Sequence, residues 1–151
     1  MNDLRPLVLV AEDDRELRRL VADTLRPACD VVECQDGRGV LDHLRSAARK
    51  RVPYPDLIIS DIRMPRLDGL SALRVVRESD PYVPLILVSA YADERADQLA
   101  ETLGVMTILR KPFDLDLLSR WVALGVRTFS PPGLDVAEPG VAARPDRAPG
   151  A

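Results

Sequence analysis

Five residues have the types and positions to do chemistry together: Glu12, Asp13, Asp61, Ser89 and Lys111. Each falls just beyond a short apolar run, at Leu7 to Val10, Leu57 to Ile59, Leu85 to Val88 and Met106 to Leu109. If those runs are parallel strands, their carboxyl ends share one edge of a sheet, where ligands bind in folds of that kind. Three carboxylates, a hydroxyl and an ammonium then converge. Carboxylates gathered without a cation repel one another and drift toward protonation, so the cluster needs compensating charge. A hard divalent ion fits, and Mg²⁺ takes one or two carboxylates and fills its remaining positions with water and phosphate oxygens. Lys111 would supply a compact point cation for the rest of a phosphate's charge, and Ser89 could donate a hydrogen bond to the transferred group. With charge handled in this way, phosphoryl transfer needs mainly positioning, and a carboxylate oxygen can be the nucleophile. Singly, each residue has a plainer role as helix cap, turn former or solvated side chain. Convergence gives them weight. Asp14 reads as the cap of the first helix, and the sole His43 falls inside a helical pattern with no orienting carboxylate at useful spacing, so it reads as structural.

These residues need elements to hold them. The four runs above, with Val31 to Cys34, predict five strands, and their continuous rather than alternating apolarity predicts burial on both faces. Between them, Leu17, Leu20, Val21, Thr24 and Leu25, then Val40, Leu41, Leu44, Ala47 and Ala48, follow helical spacing. Similar spacing runs from Leu70 to Arg77, from Asp93 to Leu103 and from Asp114 to Val126. The last two open on Asp, and Gly104 ends the fourth helix. Five strands alternating with five helices require right-handed crossovers, which favours an α/β doubly wound sheet over an antiparallel one.

A chain of 151 residues with 46% hydrophobic content has room for one good core. Residues 1–128 carry the periodic pattern. Residues 129–151 hold five of the thirteen Pro and three of the eight Gly without apolar periodicity, and predict a flexible tail. No output module is expected after it. A formal net charge of -3 argues against direct nucleic-acid binding, which draws on clustered cations. Cys29 and Cys34 have no partner at metal or disulfide spacing and read as reduced, half-buried thiols. The apolar run near the N-terminus is too short for a secretory or membrane-spanning segment, so no membrane association is expected and the cytoplasm is the expected location.

Four segments together resemble one family. VLVAEDDRELRRL is similar to the first strand and acidic turn of the receiver domains of two-component response regulators, PDLIISDIRMPRLDGL to their phosphoacceptor strand and following loop, PLILVSAYAD to their fourth strand, and LRKPF to their terminal Lys-Pro. The resemblance covers about residues 5 to 127 and implies a flavodoxin-like, five-stranded parallel sheet in the order 2-1-3-4-5. It also implies that Asp61 is phosphorylated, that Asp13, Asp61 and the backbone carbonyl of Arg63 ligate Mg²⁺, and that Glu12 acts through a metal-bound water. Ser89 would bond a phosphoryl oxygen, Lys111 would pair with it, and the Lys111 to Pro112 peptide would be cis. The phosphodonor would be a phosphohistidine on a sensor histidine kinase or histidine phosphotransfer protein, and the chain would act as a stand-alone response regulator, passing the signal to a downstream protein.

One position departs from that family. Three residues before Lys111, where an aromatic is usual, stands Ile108, which predicts weaker coupling of phosphorylation to the output face. Large residues two after Asp61 and two after Ser89, Arg63 and Tyr91, predict a screened acyl phosphate and slow self-dephosphorylation. The leading expectation is a signalling module that catalyses only its own phosphorylation and dephosphorylation and is no enzyme on other substrates. A receiver-like interaction module that works without phosphate is the alternative. A Mg²⁺-dependent phosphatase is a third class, opposed by Arg63 where a second Asp would stand. Homodimerisation through a face containing Ala96, Leu117 and Trp121 is also compatible with the sequence.

Overall fold

The computed structural model describes residues 5–64, 69–90 and 94–128. Strands β1 (Leu7–Ala11), β2 (Asp30–Cys34), β3 (Leu57–Asp61), β4 (Leu85–Ser89) and β5 (Thr107–Arg110) alternate with helices α1 (Arg15–Leu25), α2 (Gly37–Ala48), α3 (Gly69–Ser79), α4 (Glu94–Leu103) and α5 (Leu115–Thr128). The sheet is parallel, in the order β2-β1-β3-β4-β5. The tail assigned to residues 129–151 lies outside the described residues.

Alternate residues of the central strands feed two cores. Leu9, Ala11, Ile58, Leu85 and Leu87 face Val40 of α2, Leu73 and Val76 of α3 and Ala96 and Leu103 of α4. Val8, Val10, Leu57, Ile59, Ile86 and Val88 face Val21 and Leu25 of α1 and Leu118 and Val122 of α5. β1, β3 and β4 are buried along their whole length, as continuous apolar runs require. The edge strands differ from the expectation: β2 is exposed or half-buried except at Cys34, and β5 is half-buried except at Leu109. An edge strand has a neighbour on one side only, and helices overhang it less. Cys29 and Cys34 are free thiols, and both are fully rather than half buried. Burial pushes the Cys34 thiol up to about 11.

Local chemistry sets the helix ends. Asp14 caps α1 by accepting from the amides of Glu16 at 2.9 Å and Leu17 at 3.2 Å, and Asp36 caps α2 through the Gly39 amide at 2.9 Å. Ahead of α5, Asp114 accepts from the Asp116 amide at 2.8 Å. Gly104 ends α4 at φ 63°, letting the Val105 amide reach back to the Ala100 carbonyl at 3.1 Å. α2 ends the same way on a lysine: Lys50 sits at φ 58°, and the Arg51 amide reaches Ser46 at 2.9 Å.

The stripe expected for α1 is rotated. Leu20 is 51% exposed, whereas Arg18 lies on the buried face with Val21, Ala22 and Leu25. The guanidinium tolerates burial because it finds the Glu12 carbonyl and the Glu33 carboxylate. His43 lies on α2, its Nε2 3.0 Å from the Pro53 carbonyl.

Candidate functional site

Register brings the acidic residues together. Ala11 of β1 pairs with Ser60 of β3, so the next residues, Glu12 and Asp61, leave the sheet side by side. On the far side β4 pairs Ser89 with Arg110 of β5, and the Lys111 amide then donates to the Ser89 carbonyl at 2.7 Å. Lys111 therefore enters the same edge from the opposite flank, through a cis peptide to Pro112.

Asp61 is 6% exposed and Glu12 4%. The Lys111 ammonium lies between them, 2.7 Å from Asp61 Oδ2 and 3.0 Å and 3.2 Å from the two Glu12 oxygens. The other Asp61 oxygen accepts from the Arg63 amide at 3.0 Å, and Glu12 Oε1 accepts from the Asp14 amide at 3.3 Å. Asp13 projects into solvent, yet Glu12, Asp13 and Asp61 each offer a carboxylate oxygen within 4.8 Å of the others. Ser89 is buried at the end of β4. The sequence-derived residues Glu12, Asp13, Asp61 and Lys111 thus meet around one point, with Ser89 on the adjoining strand end. Arg63 exposes its side chain beside Asp61, and Tyr91 lies outside the described residues.

One ammonium does not balance three carboxylates. Burial first, and then the adjacent Asp61 carboxylate, push Glu12 up to about 8 against the opposing pull of Lys111. Burial works against the charge on Lys111, but its hydrogen bonds to Asp61 and Glu12 outweigh that and raise it above its ordinary value. Three carboxylates around one ammonium leave an excess of negative charge, and the donors are all hard oxygens, so the residues present fit a divalent cation such as Mg²⁺.

The response regulator receiver domain profile matches residues 8–123. The chain belongs to this family. It is 36% identical over 115 residues to the DNA-binding transcriptional regulator NtrC of Escherichia coli, an alignment covering 74% of this chain and 23% of NtrC. Among solved structures it is similar to the receiver domain of the Francisella response regulator 1452, with a TM-score of 0.70 and 28% identity over 80% of this chain and 96% of that one. It is likewise similar to the chemotaxis response regulator CheY4 of Vibrio cholerae, with a TM-score of 0.68 and 25% identity over 80% and 98% of the two chains. The chain spans about a quarter of the length of the curated relatives it first matches. It contains a receiver domain of two-component signalling, a family that binds Mg²⁺ at an acidic pocket and interacts with histidine kinases.

Arg18 of the receiver escaped the sequence reading. Its signal was there, a cation at helical spacing from Val21, Ala22 and Leu25, but an arginine on an apolar face is usually read as solvated. The dimer face proposed from sequence is divided: Ala96 is buried in the core beneath α4, Trp121 packs half-buried against the core on the other side of the sheet, and Leu117 alone of the three is 42% exposed. Among the described residues no helix is long and apolar enough to cross a membrane.

Proposed function

We propose that Asp61 accepts a phosphoryl group from a phosphohistidine on a sensor histidine kinase or phosphotransfer protein. The observation that carries this reading is the Lys111 ammonium bridging Asp61 and Glu12 at 2.7 Å and 3.0 Å, which places a fixed cation beside a buried carboxylate nucleophile. An Asp61 oxygen attacks phosphorus as the phosphorus–nitrogen bond breaks, and the imidazole leaves with a proton taken from solvent. Lys111 moves from its carboxylate contacts to a phosphoryl oxygen, and the Ser89 hydroxyl donates to another. Asp13, Asp61 and the Arg63 carbonyl would hold Mg²⁺ directly, with Glu12 acting through a water, and when bound the ion neutralises charge on the transferred oxygens. Catalysis on this reading is confined to the domain's own phosphorylation and dephosphorylation. The signal leaves by protein–protein contacts, in the cytoplasm where such donors work.

Intact-mass measurement after incubation with Mg²⁺ and acetyl phosphate tests it. Wild type should gain one phosphoryl group, and Asp61→Asn should gain none. No adduct on wild type, or an equal adduct on the variant, would refute the assignment.

A second reading, a receiver that engages its partner without phosphate, is favoured by Ile108. This side chain sits half-buried on β5 against the core beneath α4 and lacks the ring that couples phosphorylation to the output face in the family.

A further inference from the structure

Arg18 is a charged side chain that is only 7% exposed and takes no part in the chemistry above. Its Nη1 donates to the Glu12 carbonyl at 2.8 Å, and its Nε donates to Glu33 of β2 at 3.3 Å. The second Glu33 oxygen accepts from Arg26 at the C-terminal end of α1, at 3.1 Å. Glu12 is therefore held at three points. Its amide donates to the Cys34 carbonyl at 3.1 Å, its side chain meets Lys111 and the Asp14 amide, and its carbonyl meets Arg18. The first and last of these fix the main chain from which both Glu12 and Asp13 project.

We infer that Arg18 is a positioning residue which sets the backbone of the acidic turn so that Glu12 and Asp13 present their oxygens to a divalent cation. The inference rests on the Mg²⁺ site proposed above. Groups that orient metal ligands are worth about tenfold or more in metal affinity, although they touch no metal. Glu33 answers the guanidinium charge at close range, so the action of Arg18 on the turn is directional rather than a long-range field.

The sign of one measurement separates these roles. Seen as a charge alone, Arg18 repels a cation bound nearby, and its removal should tighten Mg²⁺ binding. Seen as a positioner, its removal lets the turn relax and should weaken it. Titrating Mg²⁺ into the full chain while following the Asp13 and Arg63 amide resonances gives the affinity without any turnover. Arg18→Met should bind Mg²⁺ about tenfold more weakly than wild type. Arg18→Lys, which keeps the charge but cannot fork to both the Glu12 carbonyl and Glu33, should fall between the two, and it carries the test if the Met variant does not fold. Arg26→Gln removes the other partner of Glu33 without touching the turn and should leave the affinity unchanged. Unchanged or tighter binding in Arg18→Met, or in Arg18→Lys where that variant carries the test, would overturn the inference, and so would an equal loss in Arg26→Gln. If wild type itself showed no saturable Mg²⁺ response, the metal site and this inference would fall together.

Discussion

Lys111 touches both buried carboxylates at once, so removing its charge should affect reactivity more than folding topology. Lys111→Met leaves Asp61 and Glu12 facing each other with no cation and deprives the incoming phosphoryl group of its point charge. Acetyl phosphate labelling of Asp61 should slow by about 100-fold, as when a single charge-stabilising donor is lost from an active site, while Mg²⁺ still binds. Time-resolved intact mass measures the first effect and an amide titration the second; labelling at the wild-type rate would remove Lys111 from the mechanism. Ile108 carries the other residue-scale expectation. A compact aliphatic side chain packed on the core has no ring to swing inward, so the packing change that biases a two-state element is small. Ile108→Tyr should enlarge the phosphorylation-induced chemical-shift changes across α4, β5 and α5, and identical responses in the two proteins would dispose of that idea.

At the scale of elements, a polar network secures the connections that enter the sheet opposite the site. Asp80, 2% exposed, accepts from the Tyr54 hydroxyl at 2.8 Å, the Tyr82 amide at 2.7 Å and the Val83 amide at 3.0 Å. Arg77 of α3 donates to the Val83 carbonyl at 2.8 Å and to the Leu103 carbonyl at 2.6 Å, which fastens the end of α4 to the approach of β4. Burial brings the Arg77 guanidinium down to about 10 against the pull of Asp80, so it remains charged at neutral pH. Burial and the Asp80 carboxylate both hold the Tyr54 hydroxyl protonated, well above its ordinary value, so it stays a donor. Asp80→Ala strands three donors and should cost roughly 3 kcal/mol, whereas Tyr54→Phe removes one hydrogen bond and should cost about 1 kcal/mol. Urea denaturation of each variant checks the ratio, and equal losses would mean that the amides of Tyr82 and Val83 find other partners. None of this network is legible in the sequence. Nothing local to Asp80 says that Tyr54, twenty-six residues earlier, donates to it.

For the whole molecule, composition divides the chain near residue 128, and removal of residues 129–151 should move the thermal midpoint by no more than about 2 °C, less than 1 kcal/mol for a domain of this size. Acetyl phosphate labelling of Asp61 should be unchanged. A large loss of stability would place part of that segment in the core. The sequence alone placed the five strands and five helices to within about three residues, because strands of a parallel sheet read as near-continuous apolar runs and a covering helix must repeat its apolar face every turn. It also determined which side chains stand at strand ends. The order of the sheet came from family resemblance, since periodicity carries no information about which strand lies beside which. Tertiary structure alone decided that Lys111 reaches Glu12 across 99 residues and Asp61 across 50, that Arg18 is buried while Leu20 is exposed, and that β2 and β5 are half-covered edges. Those outcomes depend on distance and solvent access between segments far apart in the chain, and local patterns of residue type encode neither.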